Sequence, residues 1–449
     1  SGHPPGLLYP EAFHMAHGEK LDLTVSDAFL VYIEIYGYEK IKEETDREIF
    51  QSLQKTWNEI RLAAKGSQVE LVQNPEKTKS SFLNRLLPTG TLIQETIKIA
   101  FIYTKTTKTS SWNYAHELGR LHLEQAFEGK IKTIAIENAD TDVEVEAAID
   151  EAVLEGCNLI FTTAIQMVNQ SVRSAIRYPK IKIFNCSIKM SYTSICTYFA
   201  RMYESKFLIG AIAAALSRTD RLGYVADYPI YGTIANINAF ALGARMINPY
   251  VKIHLEWSKA KGQNARERLM QEGIIFISDH DMITPNHASR EYGLYSKHED
   301  GTLENLATPI WHWGKFYERI VKNLSQGNSE ANASKGKKAV NYWWGMSADV
   351  IDVICSEDIP HGTHRLIEFL KNSIRADDFH PFDGLIYSQN GIVRCEKGQS
   401  LNAEEIITMD WLAENVVGQI PEFEELTEEA QALVQLQGIK IDETTNTEK

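Results

Sequence analysis

The sequence has no run of about 18 consecutive apolar residues, the length that a membrane-spanning helix requires. It also lacks the glycine-rich phosphate loop, the dinucleotide-binding glycine pattern, the serine elbow of hydrolases and the paired-histidine zinc motif. No grouping of nucleophile, base and acid stands out along the chain. We therefore expect a protein that does not span a membrane and is not an enzyme, with no cofactor and no metal.

The histidines do not change this view. His116 and His122, and likewise His361 and His364, have no cysteine or carboxylate at the spacing of a metal site. We interpret these four side chains as surface or capping histidines. The paired carboxylates Asp377 and Asp378 are interpreted as solvated turn residues.

Cysteine is scarce, with five among 449 residues, and no two of them form a C-x-x-C pair. An odd number leaves at least one thiol unpaired. Cys157, Cys186 and Cys196 lie within or beside apolar strand-like segments, where a small buried side chain is the expected state. These cysteines fit a reducing compartment better than an oxidising one.

Positive charge is also in deficit, since the formal net charge is −14 at pH 7. Such a surface repels phosphate backbones, so we expect no nucleic-acid partner. No basic segment followed by an apolar one marks a signal peptide, and no cysteine before Cys157 offers a lipid anchor. A leader that has been removed is left open.

Residues 1–95 differ in pattern from the rest and are predicted to form a helical N-terminal module and a linker. Thr45 and Glu48 make a capping box, and apolar residues follow it at helical spacing until Gly66. The apolar segment 28–36 indicates a buried helix that is too short to cross a membrane. A polar stretch, 66–96, then connects this module to the remainder.

From residue 97 the chain alternates between short β-type runs and helical patterns, which predicts an α/β fold with parallel sheets. The pattern restarts after a helix at 203–216, so we expect two similar lobes. We assign 96–200 plus about 309–345 to the first lobe and 201–308 plus about 346–420 to the second. The remaining residues, 421–449, form an acidic tail with a helix near 427–436 and a disordered end from residue 442.

In open α/β sheets the ligand lies beyond the carboxyl ends of the strands, and in a two-lobed protein those ends face a common cleft. The loops at these ends are 104–113, 162–169, 226–233, 257–263 and 278–285. Indole rings offer stacking faces and amides can bond two polar edges at once. The candidate ligand-binding residues are Trp112, Asn113, Thr109, Thr163, Gln166, Tyr228, Asp281 and Trp311. Trp112 and Asn113 fit a core anchor and a helix cap equally well.

Several segments resemble one known family. Trp112-Asn113 with Ala115, His116 and Glu117 is similar to the G-D-x-G-W-N-x-A-H-E segment of the basic membrane proteins. The runs 194–204, 222–230 and 238–245 are similar to that family's S-T-Y-F-A-R-x-Y-E, I-G-Y-V-A-x-x-P-I and N-A-F-x-L-G-A-R segments. Residues 379–384, 409–411 and 416–418 resemble its closing segment.

This resemblance covers about residues 96–420 and implies a type I periplasmic-binding-protein fold, used by receptors that deliver purine nucleosides to ABC transporters. It gives Trp112 and Asn113 the role of holding the base. The family's acidic residue of the first loop falls at Thr109, its second stacking aromatic near Ile165, and its ribose-binding aspartate near Ser296. These departures leave the ligand open to a nucleobase or another small polar molecule.

The resemblance favours a substrate-binding protein that lies outside the cytoplasm, associated with the membrane like a lipoprotein, and hands its ligand to an ABC permease. The free thiols and the N-terminal helical module favour an alternative. In that alternative the chain is a cytoplasmic ligand sensor that uses the same clamp and signals through residues 1–95.

Overall fold

The computed structural model describes residues 97–439, except 189–193, 263, 283–284, 287–288, 299 and 326–339. The helical module and linker predicted for residues 1–95, with the capping box at Thr45, therefore lie outside the described residues. The end predicted to be disordered, from residue 442, also lies outside them.

The strands alternate with helices along most of the described chain. The strands are β1 (Ile97–Ile102), β2 (Ile131–Ile136), β3 (Leu159–Thr162), β4 (Lys182–Cys186), β5 (Cys196–Ala200), β6 (Arg221–Ala226), β7 (Lys252–Trp257), β8 (Phe276–Ser278), β9 (Leu294–Lys297), β10 (Leu303–Trp311), β11 (Val340–Trp344), β12 (Ile351–Cys355), β13 (Ile386–Tyr387), β14 (Val393–Cys395) and β15 (Val416–Val417). The α-helices are α1 (Ser111–Ala126), α2 (Asp142–Leu154), α3 (Val168–Arg177), α4 (Tyr203–Leu216), α5 (Thr233–Ile247), α6 (Ala265–Gln271), α7 (Trp313–Ser325), α8 (His361–Ala376), α9 (Ala403–Ile407) and α10 (Glu428–Gln437).

The first sheet has the strand order β11-β5-β4-β3-β1-β2, and its pairings are all parallel. Its central strands β1 and β3 are apolar and almost completely buried, as expected for a sheet covered by helices on both faces. The capping box at Thr141 and Glu144 begins α2, one of these covering helices. This sheet and its helices form the first lobe.

The second sheet has the order β12-β10-β9-β8-β6-β7-β15 and is mixed. Its parallel half contains β6, β7, β8 and β15, whereas β9 is antiparallel to both β8 and β10, and β10 is antiparallel to β12. The parallel arrangement predicted for β6, β7 and β8 is confirmed, and the sheet continues through antiparallel strands β9, β10 and β12, which were not predicted. The connection from β9 to β10 spans only a few residues and includes Gly301 at φ 86°, and a connection that short joins antiparallel strands.

The chain passes between the two sheets three times. It first crosses from β5 to β6 through α4. It then returns from β10 in the second sheet to α7, which packs against α1 of the first lobe. The last crossing leads from β11 to β12. A short 3-10 helix, Met346–Ala348, lies at the last crossing. Three chain segments therefore connect the two sheets.

Helix α4 is buried along nearly all of its length, from Tyr203 to Ala215. It packs directly against α5, and this contact needs two glycines. A Cβ atom on Gly210 would lie 2.0 Å from the carbonyl oxygen of Phe240, and a Cβ on Gly243 would lie 1.9 Å from that of Phe207. The helices therefore touch backbone to backbone and form a rigid base for the residues at their N-terminal ends.

Most helices and strands predicted between residues 97 and 277 are confirmed to within two residues at each end. Helices α3, α4 and α5 and strand β7 match the predicted bounds, and the helix predicted near 427–436 is α10. The burial predicted for three cysteines is also decided. Cys157 and Cys186 are buried as expected, whereas Cys196 is only half-buried.

Candidate functional site

A cavity of about 230 Å³ lies between the two lobes, at the carboxyl ends of β5 and β6. This position agrees with the rule for ligand sites in α/β sheets. The side chains that line it come from both lobes, and they divide into an aromatic group and a polar group.

The aromatic wall consists of Trp112, Phe199, Trp311 and Trp343. The rings of Trp112 and Phe199 are nearly parallel, with an interplanar angle of 25° and centroids 6.2 Å apart. Trp311 stands edge-on to both, at 5.4 Å from Trp112 and 5.6 Å from Phe199. An assembly of rings in these orientations is attractive and presents flat apolar surface to a ligand.

Trp112 is held in place by a hydrogen bond and by its neighbours. Its indole Nε1 donates to the carbonyl oxygen of Thr163 at 2.7 Å, and Ser110 caps the helix on which it lies. Thr163 is itself fixed, because its hydroxyl donates to the carbonyl oxygen of Ile102 at 2.8 Å. These contacts define the orientation of the Trp112 indole.

The polar wall belongs to the second lobe and to the start of α4. Asp227, Asp279, His280 and Asp281 follow strands β6 and β8, and Lys206 reaches the same place from α4. The N-terminus of α5 also lies at the cavity, where Gly232 adopts φ 84°. Hydroxyls and amides of a ligand would find both hydrogen-bond donors and acceptors here.

The ammonium group of Lys206 is buried and forms an ion pair with the carboxylate of Asp281. Lys206 Nζ also lies 3.5 Å from Ser278 Oγ and 5.2 Å from the centre of the Tyr224 ring. Burial raises the pKa of Asp281, and the nearby Lys206 opposes that rise. The pair thus places a fixed positive and a fixed negative group side by side on the cavity wall.

A second ion pair joins His280 and Asp227, whose Nδ1 and Oδ2 atoms are 3.2 Å apart. Burial lowers the pKa of His280, but the hydrogen bond to Asp227 and its negative charge outweigh burial, so the pKa lies above the usual value. Burial raises the pKa of Asp227, but its contacts with His280 and Ser258 outweigh this and leave the pKa lowered. Asp279 is held by Arg266, which donates to it at 2.5 and 3.0 Å.

The structure brings four of the predicted ligand-binding residues to the cavity. Trp112 and Trp311 lie in its aromatic wall, and Tyr228 and Asp281 lie on the side of the second lobe. Residues that touch a cavity are placed to touch its ligand, although ligand contact itself stays a prediction for each of them.

The other four predicted residues do not line this cavity. Asn113 is fully buried and donates from Nδ2 to Thr104 Oγ1 and to the carbonyl oxygen of Lys105, so it orders the loop before α1. Thr109 is exposed and bonds within that loop to Thr106. Thr163 supports Trp112 from behind, and Gln166 is exposed to solvent.

Two other positions that the family resemblance indicates, Ile165 and Ser296, also lie outside the cavity lining. Ile165 is buried in the core of the first lobe, and Ser296 is buried within β9. The interpretation of His116 and His122 as surface or capping residues is wrong, because both are buried at the contact between α1 and α7. His116 stacks on Trp313 with ring centroids 4.4 Å apart, and His122 bonds to Glu318 at 2.8 Å.

Phe199, Lys206 and Trp343 are among the cavity residues that sequence reasoning missed. A signal existed for Lys206, since it is the single cation in the otherwise apolar stretch of α4, and a buried cation commonly indicates a partner carboxylate. Phe199 lies in β5, which was not predicted as a strand. Trp343 lies in β11, more than 140 positions farther along the chain, and only the fold brings it to the cavity.

Other classes of site are not evident in the described part of the chain. Within residues 97–439, apart from the gaps given above, no group of three or more His, Cys, Asp or Glu side chains is placed to hold a metal ion. None of the described helices is long and apolar enough to cross a membrane.

Comparisons with known proteins place this geometry among solute-binding proteins. The chain is 24% identical over 341 residues to a purine-binding protein of Brucella abortus, covering 73% of this chain and 95% of that protein. It is 25% identical to a protein of Haloferax volcanii, provisionally named as the glucose-binding protein of an ABC transporter, covering 57% of this chain and 66% of that one.

A solved ABC transporter solute-binding protein from Conexibacter woesei has a similar fold. Its TM-score is 0.50 at 13% identity, over 63% of this chain and 98% of that one. The type I periplasmic-binding-protein fold expected from the sequence is thereby confirmed. The model of the PnrA-like ABC transporter substrate-binding proteins matches residues 96–360, which is more than half of the chain. The protein therefore belongs to the family of PnrA-like ABC transporter substrate-binding proteins.

Proposed function

We propose that this protein clamps a purine nucleoside or a nucleobase-like molecule between its two lobes and delivers it to an ABC permease outside the cytoplasm. The observation that carries the proposal is the division of the cavity into an aromatic wall and a polar wall. A purine ring matches the flat surface around Trp112, and its polar edges or a ribose match the charged residues opposite.

Lobe closure supplies the mechanism of this clamp. Ligand bound to both walls stabilises the closed arrangement and shifts the population away from the open one. Rotation about the three chain crossings brings the walls together, and buried Arg201 lies at this hinge, 3.0 Å from Glu204 Oε1 and 3.2 Å from Ser347 Oγ. In this proposal each wall moves with its own lobe, and the contacts of Arg201 lie between the moving parts.

The nature of the relatives supports a purine ligand more than a sugar. The purine-binding relative matches over most of its own length, whereas the relative named for glucose matches over about two thirds. The aromatic wall also favours a planar ring. A pyranose could stack on one indole, but its puckered ring would contact less of the flat aromatic surface than a purine would.

A thermal-shift panel tests the ligand class. The panel consists of adenosine, guanosine, inosine, adenine, guanine, ribose and glucose, each added to the purified protein. A ligand at a hundred times its Kd stabilises the folded state by about 2.7 kcal/mol, which raises Tm by a few degrees. We expect purine nucleosides or nucleobases to raise Tm. A rise with glucose alone would contradict the purine proposal and favour a sugar.

A further inference from the structure

The last described segment, residues 421–439, lies across both lobes at the edge of the cavity. It contains the 3-10 helix Phe423–Glu425 and helix α10. Although its composition is acidic, its apolar residues Leu426, Ala430 and Val434 are buried and pack against Tyr228 and Ile230, two residues that line the cavity. The segment is therefore part of the folded core around the site.

Its attachment to the second lobe is made largely through backbone hydrogen bonds. Lys261 N donates to Glu425 O at 2.7 Å, Thr427 N to Lys259 O at 2.9 Å, and Tyr231 N to Gln437 O at 3.0 Å. The Lys259 ammonium also pairs with Glu429 at 3.1 Å. This side of the segment is anchored at both of its ends and moves with the second lobe.

Among the described residues, two side chains of α10 contact the first lobe. Gln437 is buried and donates from Nε2 to the carbonyl oxygen of Ile188 at 3.0 Å. Leu433 is half-buried and packs against the first-lobe core that contains Ile165. Neither contact uses the backbone hydrogen bonds that hold the segment to the second lobe.

We propose that residues 421–439 form a latch that travels with the second lobe and fastens onto the first lobe when the cleft closes. The latch rests on the ligand-clamping function proposed above and adds a regulating element to it. In the closed arrangement the contacts of Leu433 and Gln437 lower the free energy of closing, so the latch sets how much of the protein is closed before ligand binds. It also slows ligand release, because the contacts must break before the lobes separate.

Spin labels on the two lobes measure the fraction of closed protein directly, in the absence of ligand. Leu154, at the end of α2, is 88% exposed, and Tyr250, after α5, is 79% exposed. Leu154 ends α2 and Tyr250 follows α5, so both lie near the N-terminal ends of the next strands, on the side of their sheets away from the cavity. Labels at Leu154→Cys and Tyr250→Cys, in a Cys196→Ser background, report lobe separation, since the other four cysteines are buried.

The test compares Leu433→Ala and Gln437→Ala with Leu436→Ala, a matched control on the same helix whose side chain is exposed. We expect each of the first two changes to increase the population of longer label distances by roughly tenfold, about the effect of losing one good buried contact. The control should retain the wild-type distribution. Distributions for Leu433→Ala and Gln437→Ala that match the control would overturn the latch.

Ligand kinetics give the second readout, with whichever purine raises Tm used as the probe. We expect Leu433→Ala to increase its dissociation rate several-fold, with a smaller change in association rate. Because the label distances are measured without ligand, the latch can fail while the purine proposal stands. Absence of purine binding to the wild-type protein would instead refute the proposed function and leave the distance result unaffected.

Discussion

Lys206 is a buried cation of the cavity wall, and its side chain is less exposed to solvent than that of its ion-pair partner Asp281. The side chain of Lys206 is 2% exposed, whereas that of Asp281 is 19% exposed. If Asp281 loses its charge, the ammonium group remains buried without its anion. If Lys206 loses its charge, the carboxylate that remains has some access to water.

Asp281→Asn should therefore destabilise the protein more than Lys206→Met. Removing one member of a buried pair costs roughly 3–5 kcal/mol, and we expect about the lower figure for Asp281→Asn. For Lys206→Met we expect less than half of that loss, since the methionine also fills the same space. Urea unfolding of both variants measures the difference, and an equal or larger loss for Lys206→Met would contradict this account of the pair.

The aromatic residues of the cavity show which parts of the site could be predicted from the sequence and which could not. Trp112 could be chosen from the sequence because a tryptophan at the start of a helix follows a strand in the chain. Phe199 and Trp343 could not, because neither residue lies in a loop that the strand pattern marks. Lys206 carried a signal in its apolar surroundings, but its partner Asp281 lies 75 positions away, and only the fold shows that the two meet.

At the scale of elements, the contact of α4 with α5 determines where the base of the cavity lies. Both helices begin at the cavity, and their backbones touch at Gly210 and Gly243. Any side chain at these positions would force the helices apart and move Lys206 and Asn236 away from the cleft.

Gly210→Ala tests this contact, because the contact determines whether the variant is less or more stable than the wild-type protein. Alanine is better than glycine in a helix by about 1 kcal/mol, so without the contact the change would stabilise the protein. Since the added Cβ would lie 2.0 Å from Phe240 O, we expect a net loss of at least about 2 kcal/mol. Chemical denaturation gives the value, and an increase in stability would show that the helices separate easily.

The elements also show which parts of the fold sequence patterns can predict. Apart from β5, the helices and parallel strands up to residue 277 were predictable because their apolar periodicities are local. Strands β9, β10 and β12 were not, since their antiparallel pairing depends on the short turn after β9 and on a return from the other lobe. For residues 421–439 the helix was predictable, but its packing on Tyr228 was not, because the contact joins positions about 200 apart.

At the scale of the whole molecule, buried histidines make stability depend on pH. Burial is the largest cause of a lowered pKa in five described histidines: His116, His254, His312, His364 and His380. A lowered pKa in the folded state means that the unfolded chain binds more protons below its own pKa of about 6.5. The contribution of each such histidine to the free energy of unfolding is therefore fully present above that pH and is lost as the pH falls below it.

His280 acts in the opposite direction. Its raised pKa contributes stability below about pH 6.5, and that contribution is lost as the pH rises through the raised value. Because five histidines have a lowered pKa and His280 has a raised one, we predict a lower Tm at pH 5.5 than at pH 7.5.

Thermal unfolding across this pH range checks the prediction. His280→Gln should steepen the fall in Tm on acidification, because it removes the contribution that opposes the other five. A Tm that is constant or rises on acidification would show that these histidines are not buried in neutral form.

The central claim for the whole molecule is that the cleft with Trp112 in its wall is the ligand site. Isothermal titration calorimetry of the purine that gives the largest Tm rise tests it most directly, with wild type, Trp112→Ala and Trp411→Ala compared. Trp411 is a matched control, because it is also half-buried but does not line the cavity. We predict that Trp112→Ala weakens binding by about 1–3 kcal/mol, the range for loss of a stacking face, and that Trp411→Ala binds like wild type. Equal affinities for wild type and Trp112→Ala would contradict the account and place the ligand elsewhere.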